Sequence, residues 1–234
     1  MATSPNEQYN VASADSVPVR IAGHQRRKMF DRFIYEMVPT KNDAILDVGV
    51  TSERSYPSSN YFEKWYSQPD RITAVGLDDA EFLEEEFPGL TFLKADARDL
   101  PFADREFDYV HSSAVIEHVG NANAQAKVIR ECARVTRKGF FLTTPNRWFP
   151  VEFHTVVPFL HWLPPRAFRA IMRATRREFF ASEENLNLMS ASDLRAAVHK
   201  SDLEEEFDVK IESVSLGGWP SNLLLVGKRK LARC

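Results

Sequence analysis

Cysteine is scarce in this 234-residue chain: Cys132 and Cys234 are the only two, at a spacing that makes neither a disulfide framework nor a metal site. Cys132 falls in a helical pattern and reads as a small core residue. Long apolar runs are missing as well. No stretch reaches the roughly 18 apolar residues of a membrane-crossing helix, and the N-terminus has no signal-peptide segment, so a cytoplasmic protein is expected. Nor is there an excess of one charge: 30 basic against 33 acidic residues leave a net charge of -3, which offers nucleic acid no general basic surface. A hydrophobic content of 44% is enough for one large α/β domain, or two small ones, without covalent staples.

What is present is organised around Ile45-Leu46-Asp47-Val48-Gly49. An apolar run without alternation reads as a strand buried on both faces, and Gly49 lets the chain turn sharply after it. Residues 1–22, rich in Ser, Asn, Pro and Ala, read as a mobile lead before a single domain over 23–234. Met29, Phe30, Phe33, Ile34 and Met37 then fall at helical spacing, with Gln25-Arg26-Arg27-Lys28 as a solvated start. Further strands are read at 71–77, 90–93, 107–111 and 140–144, alternating with helices at 61–66, 80–87 and 121–137, the last closed by Lys138 and Gly139. Such alternation requires a parallel sheet with helices on both faces. Four successive strand ends carry polar residues: Asp47, Asp78-Asp79, Asp96 and Ser112-Ser113. Ligands of open α/β sheets bind at this edge. A carboxylate there accepts hydrogen bonds from a ribose diol, or it caps the following helix; Asp78 and Asp79 suffice for one role each.

In that ordered set the chain resembles the class I S-adenosylmethionine-dependent methyltransferases, type 11-like, of the small-molecule group. The residues that carry the likeness are Ile45 to Gly49, Val75-Gly76-Leu77-Asp78, Ala95 to Phe102, Phe107 to Val110 with Val115 to Val119, and Arg134-Val135 through Gly139. The resemblance implies a Rossmann-like, doubly wound sheet of seven mostly parallel strands with an antiparallel last strand, its closing hairpin drawn from 206–214, Gly217-Gly218-Trp219-Pro220 and 223–227. It also implies S-adenosylmethionine as cofactor: Asp47, Gly49, Val50 and Thr51 beside its amino acid part, Asp78 and Asp79 at the ribose, Asp96 and Ala97 at the adenine, and Ser112 and Ser113 near the methyl. Asp47, Asp78 and Asp96 are thus expected to converge on one ligand. The alternating glycines usual in the family are replaced by Val50-Thr51-Ser52-Glu53, with Thr51 and Ser52 hydroxyls available instead. Asp78 follows Asp47 by 31 residues, longer than the roughly 20 of a dinucleotide fingerprint, and the added loop at 54–60 is placed to fold over the cofactor. A nicotinamide enzyme is disfavoured, because Glu53 would repel the pyrophosphate that a glycine-rich turn normally seats.

After the fifth strand comes an insertion, about 145–190, that the core fold does not need. Residues 147–180 hold eight Phe or Trp and six Arg against two acids. That mixture suits an apolar or anionic acceptor or a membrane surface; it equally suits a cap packed on the sheet. Trp148, Phe149, His154, His161 and Trp162 are the candidate substrate-binding residues, and His118 and His154 the candidate bases for removing a proton from the acceptor. No Asn/Asp-Pro-Pro-aromatic motif follows the fourth strand, which excludes amino methylation of DNA bases. No carboxylate cluster replaces His111 to Ser113, which leaves no metal site. The expected activity is methyl transfer to a small molecule, with an inactive cofactor-binding relative and a membrane-surface lipid or quinone methyltransferase as alternatives; nothing in the sequence fixes an oligomeric state.

Overall fold

The computed structural model describes residues 16–152, 155 and 157–231. Fourteen of the segments matter here: α1 (Val17–Met37), β1 (Ile45–Val48), α2 (Tyr61–Trp65), β2 (Ile72–Gly76), α3 (Phe82–Glu86), β3 (Thr91–Lys94), β4 (Phe107–Ser113), α4 (Ala122–Val135), β5 (Thr136–Pro145), α5 (Pro165–Ala174), α6 (Glu178–Ala181), α7 (Ala191–Ser201), β6 (Phe207–Leu216) and β7 (Trp219–Arg229). They build a seven-stranded sheet in the order β3-β2-β1-β4-β5-β7-β6. β1 to β5 pair in parallel, and β7 runs antiparallel to both β5 and β6, as the resemblance implied. The chain order reverses between β1 and β4, and a crevice opens at such a switch point.

Two cores flank the sheet. On one side α4 and α7 bury Val128, Ile129, Cys132 and Leu194 against β4, β5 and β7. On the other, α1 and α2 bury Phe30, Phe33, Tyr61 and Phe62 against Ile45, Phe141 and Leu224. Burying each such side chain contributes about 1.5–3 kcal/mol. The caps are written locally. Asn121 accepts from the backbone N–H groups of Asn123 and Ala124, and Ser190 with Asp193 forms a capping box for α7.

Several boundaries differ from the sequence expectation. Residues 17–22, read as part of a mobile lead, are the first turns of α1, started by Pro18; residues 1–15 lie outside the described residues. Gly139 does not stop a helix but sits within β5, where a Cβ would come within 2.6 Å of the Gly227 carbonyl oxygen. The closing hairpin turns on Gly217-Gly218 alone, at φ 57 and 82, and Trp219-Pro220 already belongs to β7. The insertion folds as α5 and α6 over a small core of its own, Phe168, Met172, Phe180 and Leu186.

Candidate functional site

At the carboxyl ends of β1 and β4 lies a pocket of about 160 Å³, lined by Asp47 to Thr51, Ser58 to Phe62, Arg26, His111, Ser113, Ala114 and His118. Its floor is the turn after β1. Gly49 has φ +104, and a Cβ there would overlap the Val115 side chain at 2.0 Å, so only glycine fits. The N–H groups of Gly49 and Val50 both donate to Val75 O, which pins the turn to β2. Thr51 and Asn60 exchange two hydrogen bonds of 2.9 Å, backbone to side chain, so the loop at 54–60 is drawn over the pocket.

Beneath the pocket is a buried polar chain. His111 Nδ1–H donates to Asp47 Oδ1, and Tyr61 O–H donates to His111 Nε2 at 3.1 Å. Phe62 stacks on the imidazole at 4.3 Å between ring centres, with the edges of Phe33 and Tyr61 against it. Burial in this aromatic box pushes the His111 pKa down to about 3, so its contact with Asp47 at neutral pH is a hydrogen bond to a neutral ring, not an ion pair. Burial also raises Asp47 to about 7. Glu63, buried at 2% exposure, faces Asp47; desolvation first, then the Asp47 charge, raises its pKa well above the usual range, so it holds a proton, and neither of its carboxyl oxygens has a hydrogen-bond partner among the described residues. Two carboxyls this close cannot both be ionised cheaply.

The pocket is also lined by a cation. Arg26 donates to Ser58 O at 3.0 Å and to Ser58 Oγ at 2.7 Å, and burial lowers its pKa. The expectation of a solvated basic start to α1 is therefore corrected: Gln25 is buried and Arg26 lines the site, while Arg27 pairs at the surface with Asp31. His118 also lines it. Its Nδ1–H donates to Asn185 O at 2.6 Å, and Nε2 lies 3.6 Å from buried Glu117 Oε1. With Nδ1 carrying the proton, Nε2 is the acceptor nitrogen of the ring.

Of the sequence candidates, Asp47, Gly49, Val50, Thr51, Ser113 and His118 come together in this pocket. Asp78, Asp79, Asp96, Ala97 and Ser112 are not among its lining residues. Asp78 is buried just past β2 and accepts from Ser52 Oγ at 3.1 Å. Asp79 accepts from the Glu81 N–H at 3.1 Å in the turn ahead of α3, but Glu81 is the N-cap of that helix and no side chain caps it, so the expected capping role is not taken by Asp79. Asp96, just past β3, is gripped by Arg98, whose hydrogen bonds hold its carboxyl below the usual range. Ser112 donates to Val48 O inside the sheet, which turns its hydroxyl away from the pocket. Asp47, Asp78 and Asp96 thus stand in a row along one sheet edge rather than around a single enclosed cavity. In the insertion, His161 is buried with Nε2 donating to Phe149 O at 2.8 Å, so it secures the fold of this segment. Phe149 is buried, and Trp148 and Trp162 meet at the surface. His154 lies outside the described residues. Among the described residues no group of His, Cys, Asp and Glu could hold a metal ion.

Residues 57–143 match the family model of a methyltransferase domain. The match begins after β1 and its altered glycine turn, and it runs from α2 into β5. No curated protein sequence matches the chain. Among solved structures, a SAM-dependent methyltransferase from Aquifex aeolicus is similar with a TM-score of 0.57 at 11% identity, covering 97% of this chain and 100% of that one. Magnesium protoporphyrin IX methyltransferase from Synechocystis, with bound SAH, gives 0.56 at 12% identity, with 96% and 92% covered. A SAM-dependent methyltransferase from Thermotoga maritima, described as a possible histamine N-methyltransferase, gives 0.56 at 17% identity, with 92% of each chain covered. These likenesses show the fold, and the domain match supports the resemblance to the class I, type 11-like methyltransferases.

Proposed function

We propose that the chain is an S-adenosylmethionine-dependent methyltransferase acting on a small molecule with an apolar or anionic part. One observation carries the reading: a single pocket at the switch point is lined by both a guanidinium, Arg26, and a carboxyl group, Asp47. That donor set fits a zwitterionic amino acid, whose carboxylate pairs with Arg26 and whose ammonium faces Asp47. A volume of about 160 Å³ falls below the roughly 300–1,000 Å³ that encloses a drug-sized ligand, so the pocket takes the amino acid end, and the nucleoside lies along the open edge past Asp78 and Asp96.

When bound, the cofactor supplies an activated methyl on a cationic sulfur. The chain's share is placement and proton handling. Ser113 and His118 face the methionine side, and His118 Nε2 accepts the acceptor's proton, the resulting imidazolium being stabilised by Glu117. The buried Tyr61, His111 and Asp47 chain fixes the Asp47 carboxyl group in one orientation. Isothermal titration tests the reading. Saturable binding of both S-adenosylmethionine and S-adenosylhomocysteine is expected, and no heat with either overturns it.

A further inference from the structure

Three of the chain's four tryptophans gather on one surface, although they come from segments far apart in sequence. Trp162 touches Trp148 of the insertion, with ring centres 6.3 Å apart, and Trp219 at the tip of the β6–β7 hairpin at 6.2 Å. Phe159 closes on Trp162 at 4.9 Å. These are not core residues: Trp148 is 47% exposed, Phe159 53%, Trp219 46% and the neighbouring Leu163 37%. A run of large apolar side chains left open in this way marks a docking face.

Arginine borders it. Arg147 lies over the Trp148 ring at 5.5 Å and donates to Leu163 O at 3.1 Å, and with Arg169 it lines a shallow cleft shared with Leu163 and Pro165. Along α5 the residues Arg166, Arg169 and Arg173 recur at helical spacing opposite buried Phe168 and Met172, and Arg176 extends the row. Arg169 is paired with Glu183, whereas Arg166, Arg173 and Arg176 are exposed and make no ion pair among the described residues. From 145 to 190 the sequence has six arginines and four acids, in a chain whose net charge is -3. The insertion that carries Trp148 and Trp162 is therefore net positive.

We propose that this face seats on an anionic lipid bilayer. Indole rings with one polar edge settle at the headgroup level, and unpaired arginines on the same insertion meet lipid phosphates. Among the described residues no helix is long and apolar enough to cross a membrane, so the contact is peripheral.

The test uses the full chain and vesicles of phosphatidylcholine, with and without phosphatidylglycerol, and it does not depend on methyl transfer. The expected result is sedimentation with the anionic vesicles only, reversed by salt, with a blue shift of tryptophan emission. Trp148→Ala with Trp219→Ala abolishes the shift, and Arg166→Glu with Arg173→Glu lowers the bound fraction at least tenfold. Circular dichroism and cofactor affinity stay unchanged in both variants. Absence of vesicle binding at low salt, binding indifferent to both variants, or a dimer in solution that Trp219→Ala dissociates would each overturn the proposal.

Discussion

Asp47 and His111 are register partners on β1 and β4, and their side chains meet in a hydrogen bond on one face of the sheet. The pairing ties the acid at the end of the first strand to a neutral ring and, through it, to Tyr61. With Glu63 on the other side, the carboxylate that faces the pocket has its geometry set before any ligand arrives.

Removing the Glu63 charge stabilises the protein in a pH-dependent way. Its folded pKa is raised, so the folded state keeps a proton that the unfolded chain releases above about 4.5. Stability from this group is fully present below that value and is lost as pH rises. Glu63→Gln keeps the shape of the side chain beside Asp47 and removes the titration. Its melting temperature therefore exceeds that of the parent by more at pH 8 than at pH 5. An equal gain at both pH values contradicts the assignment.

Gly49→Ala tests the turn. A non-glycine residue at φ +104 costs about 1–3 kcal/mol, and the overlap with Val115 adds to it. Urea denaturation should show a lower midpoint with an unchanged slope, together with weaker cofactor binding.

Arg26→Ala tests the cation. Loss of a charged hydrogen bond worth about 1.5–3 kcal/mol weakens S-adenosylmethionine binding roughly 10- to 150-fold. Methylthioadenosine, which lacks the amino acid, binds parent and variant alike. Calorimetry on the two ligands separates a carboxylate contact from general damage to the pocket.

His118→Gln tests the proton acceptor. Turnover with an accepted substrate falls by about 10²–10⁴, while cofactor affinity holds. Unchanged turnover would mean that placement alone accounts for the rate.

Much of the fold was legible because buried parallel strands are written in short local patterns such as Ile45 to Val48, whereas the Asn121 cap and the Ser190 and Asp193 capping box went unread. The site was half legible. Asp47, Gly49 to Thr51, Ser113 and His118 announced themselves by position after strands, but Arg26, Tyr61, Glu63 and His111 did not, since charged helical residues face water by default. A signal was present for Arg26, which precedes Met29, Phe30 and Phe33 by three, four and seven residues and so shares the buried stripe of α1. For Glu63 the hint was its place in Tyr61-Phe62-Glu63-Lys64-Trp65. Gly139 misled because its reason is the Gly227 carbonyl packed against it, a contact with a strand some ninety residues later.

A crystal structure with S-adenosylhomocysteine bound reads the central claim directly. The account predicts the amino acid end between Arg26 and Asp47, the ribose hydroxyls on Asp78 and the adenine beside Asp96 and Ala97. A ligand bound away from the carboxyl ends of β1 and β2, or none at saturating concentration, contradicts it.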